Sequence, residues 1–279
     1  VDNASQDAST AMVESEFPEV LLLRADRNLG FAAANNLGAK AAQGDFLALV
    51  NSDAELKDDS LSRCLAYFGE NPRIGAMSPR LVGRDGQPQE CLYPWPTLAS
   101  IARSMGYLPG RLGTASTRGP RRDASRPITN SPRGWLAGTA LVVRRSAWED
   151  LSREDLLDPR FFMYWEDADL SARLSRRDWS LEVFEPGEVL HHGGASGGGP
   201  DLIRRLDLYS WYMWGRHQWF QTHRPWWEAV GLWGLDAVDV GRKAMRGLIR
   251  EGKQHEYQQA LALANVLARR LVGLAPPRP

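Results

Sequence analysis

Short apolar runs alternating with helix-forming stretches constrain this chain more than any other feature. Val20 to Leu23, Phe46 to Val50, Ile74 to Val82, Leu136 to Val143 and Leu181 to Phe184 are bounded by polar residues, the pattern of buried strands. Between them, Phe31 to Ala42 is alanine-rich, and Leu61 to Phe68 follows a capping position at Asp59 or Ser60. Leu170 to Arg177 again has helical character. Such alternation predicts an α/β sandwich with a mainly parallel sheet, whose ligands meet polar residues just beyond the strand ends.

Composition narrows the class. Lys and Arg total 34, as do Asp and Glu, and this neutral balance argues against nucleic acid as a partner. Two cysteines, Cys64 and Cys91, make neither a disulfide framework nor a four-cysteine zinc site, which fits a reducing, cytoplasmic setting. No stretch approaches the ~18 apolar residues of a membrane span. The charge is neutral only on average. Residues 1–199 hold 22 basic and 27 acidic side chains, whereas 201–279 hold 12 and 7, with six of the 11 tryptophans. A boundary is therefore expected at the glycine run ending at Gly199, separating 1–199 from a Trp/Arg-rich helical region, 200–279. Arg103 to Arg133, with seven arginines among Gly, Pro and Ser, is expected to be a long mobile loop.

Four groups of polar residues stand at strand ends. Asp2 reads most simply as a turn or capping aspartate. Asn51-Ser52-Asp53 follows Phe46 to Val50, where a carboxylate can bind a divalent metal that holds a diphosphate. Glu166, Asp167 and Asp169 crowd three carboxylates into four residues. A helix pair with Arg173 and the helix dipole account for Asp169. Neither accounts for Glu166 and Asp167 beside Phe161, Phe162, Tyr164 and Trp165, which reads as a pocket rim. His191-His192 follow Val189-Leu190, and with Asp53 they form a mixed set suited to Mn²⁺ or Mg²⁺.

In order along residues 1–196, these segments resemble the family 2 inverting glycosyltransferases of GT-A fold, especially rhamnosyltransferase-like members. Val1-Asp2-Asn3-Ala4-Ser5 resembles the nucleotide-binding turn, and Asn28-Leu29-Gly30-Phe31 the Asn-x-Gly-Phe segment. Asn51-Ser52-Asp53 stands at the Asp-x-Asp motif, and Trp135-Leu136-Ala137-Gly138 at the acceptor-side strand. Tyr164 to Leu170 with Arg173 matches the catalytic segment, and His191 to Ser196 the His-x-x-Gly-x-Ser segment.

The resemblance implies a GT-A-type Rossmann-like sandwich with a C-terminal helical appendage, and roles for single residues. Asp2, Asn28, Gly30, Asn51 and Asp53 would bind a nucleotide-sugar donor, dTDP-rhamnose or a UDP-sugar. Asp53 would hold Mn²⁺ or Mg²⁺, with His191 as a second ligand. Asp167 would be the general base, with an ordinary carboxylate pKa, and Glu166 would orient a substrate. Trp135, Gly138 and Trp165 would face the acceptor, a glycan or a polyprenyl-diphosphate-linked sugar in cell-surface polysaccharide assembly. Two departures matter. Asn51 replaces the first carboxylate of the motif. The chain also opens at Val1, where family members carry a further strand and helix, so an N-terminally truncated domain is expected. A nucleotidyltransferase of similar fold and a non-catalytic sugar-nucleotide or glycan-binding module stand as alternatives. Residues 201–279 read as three helices, either a peripheral platform on the cytoplasmic membrane face or a layer packed on the catalytic domain or a partner subunit.

Overall fold

The protein was analysed as a computed structural model, which describes residues 1–57, 59–109, 128–129, 134–152, 154–193, 202–249 and 253–277. Most of the arginine-rich segment and of the glycine run lies outside them. The first half holds α1 (Ser9–Glu16), α2 (Phe31–Ala41), β1 (Phe46–Val50), β2 (Ala54–Leu56), α3 (Ser60–Glu70), β3 (Ile74–Val82), β4 (Pro88–Gln89), β5 (Leu92–Pro94) and α4 (Leu98–Ser104). The second half holds β6 (Ile128–Thr129), β7 (Gly134–Leu136), β8 (Ala140–Arg144), α5 (Arg145–Asp150), α6 (Glu166–Ser175) and β9 (Ser180–His191). Three long helices follow, α7 (Leu202–His223), α8 (Trp226–Ile249) and α9 (Gln254–Leu271).

The main sheet runs β1-β8-β3-β9-β2, with β4 on β3, β6 on β9, and a separate β5-β7 pair. The expectation of a mainly parallel sheet needs correcting. Among the described strands only β3 and β9 pair in parallel, and the remaining pairings are antiparallel. Apolar runs reveal burial and not direction. Here β8 inserts antiparallel to both β1 and β3, a reversal that apolarity does not encode. Val20 to Leu23 is likewise not a ladder strand: Asp2 and Arg24 form a single parallel bridge.

Side-chain alternation fills both faces. Leu141 and Val143 join Leu170, Leu174 and Trp148 on one face, while Val142 joins Cys64 and Phe68 of α3 on the other. The C-terminal helices are docked rather than hung on. Trp219 and Phe220 of α7 and Ala229 and Leu232 of α8 share a buried cluster with Phe161, Trp165 and Ala168. Each large side chain so buried contributes about 1.5–3 kcal/mol. Met213, Leu263 and Val266 then seat α9 on α7.

Candidate active site

The site grows from the end of β1. Val50 faces Ala140 in the β1–β8 register, and the Asn51 amide donates to the Thr139 carbonyl at 2.9 Å. The tight turn before β8 then presents the Gly138 amide, which donates to Asp167 Oδ2 at 2.9 Å. Strand pairing thus joins two segments more than a hundred residues apart in sequence, the Asn51 turn and the start of α6.

That start is strained. Tyr164 and Trp165 have φ of 69° and 74°, a region L side chains seldom adopt. Such conformations cost on the order of 1–3 kcal/mol each and persist where packing over-determines them. Gly215 of α7 supplies the packing, because a Cβ there would lie 2.8 Å from the Tyr164 carbonyl oxygen and 2.9 Å from the Trp165 ring. The Trp165 ring sits 6.3 Å from Trp135, 6.0 Å from Trp219 and 5.5 Å from Tyr212. Trp135 also stacks on Tyr93 at 4.8 Å.

The Asn28–Gly30 turn is pressed onto the same segment. Phe31 donates its amide to the Phe162 carbonyl at 2.7 Å. Gly30 has φ of 84°, and any Cβ would fall 2.3 Å from that carbonyl oxygen, so only glycine fits. Asn28 Oδ1 accepts from the Gly30 amide at 2.9 Å and from Asn3 Nδ2 at 3.1 Å. Asn3 Oδ1 in turn accepts from the Leu29 amide at 2.8 Å. Asn3 was not singled out from sequence, because its partners lie 25 or more residues away. Its neighbour Asp2 accepts from the Ser5 amide at 3.2 Å, a turn role.

The carboxylates of α6 divide sharply. Glu166 is buried, its Oε2 has no hydrogen-bond partner among the described residues, and burial followed by the Asp167 charge pushes its pKa well above the usual range. Burial also raises Asp167, to about 6, against the opposing pull of the Gly138 and Ala168 amides. This corrects the ordinary pKa expected of Asp167, for desolvation outweighs the helix N-terminus. Asp169 goes the other way. Burial raises it, yet the His223 hydrogen bond (2.7 Å) and Arg173 (2.7 Å) hold its carboxyl below the usual range. Arg173 was expected, whereas His223 on α7 carried no sequence signal.

Asp53 forms a second focus. Its carboxylate is buried, and neither oxygen accepts a hydrogen bond from the described residues. The β2–β9 register places Ala54 opposite His191, which brings His191 Nε2 to 3.6 Å from Asp53 Oδ1. His191 Nδ1 is 2.7 Å from Gln89 Oε1, which fixes the ring. His192 turns instead to Glu55 and Arg84. An orphaned carboxylate beside an imidazole fits a divalent cation. Among the described residues no group of three His, Cys, Asp or Glu side chains is placed to hold a metal ion.

A cavity of about 730 Å³ lies between α2, the end of β1 and the start of α6. Asn3, Asn35, Asn51, Gly138, Glu166 and Asp167 line it, while Asp53 does not. A sugar nucleotide is a ligand of matching size class.

Comparison with known proteins bears on this geometry. The profile of glycosyl transferase family 2 matches residues 1–116. An N-acetylglucosaminyl-diphospho-decaprenol L-rhamnosyltransferase of Mycobacterium tuberculosis is 32% identical, over 84% of this chain and 78% of the relative. The O-antigen biosynthesis protein RfbC of Myxococcus xanthus is 26% identical over 81% of this chain and 16% of its own length. GalNAc-T7, solved with UDP, GalNAc and Mn²⁺, superposes with a TM-score of 0.50 at 16% identity, over 77% of this chain and 43% of that one. That likeness establishes the GT-A class of fold.

Proposed function

This chain belongs to glycosyl transferase family 2, and from that premise we propose an inverting transfer of rhamnose from dTDP-rhamnose to a polyprenyl-diphosphate-linked N-acetylglucosamine. A UDP-sugar is the second donor. The acceptor and the sugar follow the name of the mycobacterial relative, and the setting is the cytoplasmic face of the membrane, in cell-surface polysaccharide assembly. Residues 1–199 form the catalytic domain in this reading, and 200–279 a helical region that meets the membrane.

One observation carries the reaction. Asp167 lines the cavity, has no cationic partner among the described residues, and has its pKa pushed up to about 6, where a general base works efficiently at neutral pH. Its Oδ2 is aimed by the Gly138 amide. In this role it accepts the acceptor hydroxyl proton as that oxygen attacks the anomeric carbon from the face opposite the departing diphosphate. Glu166, whose pKa is pushed up by burial, orients substrate through its carboxyl group. Trp135 and Trp165, which pack behind the cavity and do not line it, would support the acceptor side at Gly138. Asn28, Gly30 and Asn3 form a fixed turn for the donor, with Asp2 and Asn51 at its edges. Asp53 and His191 would hold Mn²⁺ or Mg²⁺, which when bound neutralises charge on the leaving diphosphate. A nucleotidyltransferase would need two carboxylates on metal, whereas the neighbour resolved beside Asp53 is the His191 imidazole.

The test is transfer from dTDP-rhamnose to a polyprenyl-diphosphate N-acetylglucosamine, followed by mass spectrometry. Asp53→Ala is expected to abolish the metal dependence of donor affinity while leaving the melting temperature close to that of the parent. Product absent with every nucleotide sugar overturns the reading. Donor affinity indifferent to Mn²⁺ and Mg²⁺ overturns the metal role.

A further inference from the structure

Helix α8 is amphipathic in the reverse sense for a protein in water. Its inward face carries Glu228, Asp236 and Asp239, at 4%, 0% and 1% exposure. Each is neutralised from within the fold. Arg224 pairs with Glu228, Arg216 (2.5 Å) and His217 (2.8 Å) with Asp236, and Arg242 (2.7 Å) and Lys243 (3.0 Å) with Asp239. The outward stripe is apolar. Trp227, Val230, Val238, Met245 and Leu248 are 55%, 60%, 58%, 62% and 72% exposed, with Gly234 and Gly241 in line between them. They recur at helical spacing over roughly 32 Å, at 1.5 Å per residue. A surface helix in water puts its charges outward. A helix that folds its acids in and turns Val, Met and Leu out is built for a medium that is not water.

We propose that the outward face of α8 lies flat on an anionic lipid surface. Three observations select lipid. No helix among the described residues is long and apolar enough to cross a membrane, so an in-plane seat is the fitting geometry. Charge is complementary: residues 201–279 hold 12 bases against 7 acids, and turning Glu228, Asp236 and Asp239 inward leaves exposed Arg246 beside the stripe. Trp226, 77% exposed, stands with Trp227 at one end, residues that favour the headgroup level. A second copy of this face would offer no acidic partner to Arg246, because the acids of α8 are turned inward. The stripe is also tied to the chemistry, because Ala229 and Leu232 on the inner side join the cluster of Trp165 and Trp135. This deepens the reading of a lipid-linked acceptor and rests on it for its purpose, although not for its physics.

The test is co-sedimentation of the protein with vesicles of phosphatidylcholine, with and without phosphatidylglycerol. The wild type is expected to bind the anionic vesicles. The double variant Val238→Glu, Met245→Glu, with melting temperature unchanged, is expected to bind them about tenfold more weakly or worse. Binding equal in wild type and variant overturns the proposal, as does failure of the wild type to bind. A wild-type dimer dissolved by the same substitutions, with vesicles ignored, assigns the face to a second copy and also overturns it. Transfer to a water-soluble acceptor, measured alongside, separates the two readings: vesicle binding without any transfer sinks the enzymatic reading and leaves this one standing.

Discussion

Two sets of carboxylates desolvated by the fold differ in their partners. In the helical layer, Asp236 meets Arg216 and His217, and Asp239 meets Arg242 and Lys243. At the start of α6, Glu166 and Asp167 line a cavity with no cation beside them among the described residues. Burial desolvates both sets, but the outcome is opposite. Asp236 is held below the usual range, because the His217 hydrogen bond and the Arg216 charge outweigh burial. Glu166 and Asp167 are pushed up. Paired carboxylates fasten helices, whereas unpaired ones cost stability and are kept where proton transfer requires them. The divide falls inside one run of four residues, for Asp169 belongs with the fasteners.

The comparison breaks most readily at Asp167. Asp167→Asn keeps the shape but cannot accept a proton, and transfer is expected to fall about 10²–10⁴-fold with donor affinity unchanged. In the parent, kcat/KM is expected to rise with pH through about 6, as the Asp167 carboxyl loses its proton and becomes a base. A rate within about threefold of the parent would remove Asp167 from its role, being far below a general-base effect. Asp236 should behave in the contrary way. Asp236→Ala strands the Arg216 guanidinium in a closed interior, so unfolding free energy is expected to drop by about 3–5 kcal/mol. Urea denaturation measures it. A loss under about 1 kcal/mol, typical of exposed pairs, would erase the distinction drawn here.

How much of this was legible depended on whether the determining contacts were local. The Glu166-Asp167 pair stood out because like charges beside aromatics have no structural excuse within their own segment. The Asn28-Leu29-Gly30 turn was visible through its glycine, and its reason, the close approach of Phe162, was not. Helix limits came within a residue or two for α2 and α3, since caps and apolar spacing are local properties. Strand direction was illegible, as β8 shows. So was the burial of Asp169, which reads as half of an exposed helix pair until His223, 54 residues on, closes over it. The reversed face of α8 was hidden for the same reason. Its acids and apolar residues form a regular pattern, and only the packing of α7 and α9 says which side is out.

Glu166 gives the smallest effect and the sharpest reading of the comparison. Its pKa is raised well above 4.5 by burial and then by the Asp167 charge, so the folded protein keeps the proton to higher pH than the unfolded chain does. Glu166→Gln replaces a neutral acid with a neutral amide of the same shape. Transfer should therefore change little, within about threefold, far less than the ~10²-fold minimum of a lost base. Stability should change in a direction fixed by linkage. A carboxyl whose pKa is raised on folding binds more protons in the native state, so it lowers stability as pH climbs above the unfolded value. Gln carries no such penalty. The variant should match the parent below about pH 4, where both states of the parent are protonated, and become the more stable of the two toward pH 7. Urea midpoints across that range measure the crossing. Equal stability at every pH would mean that Glu166 is ionised in the fold and that an unseen cation, not burial, governs it.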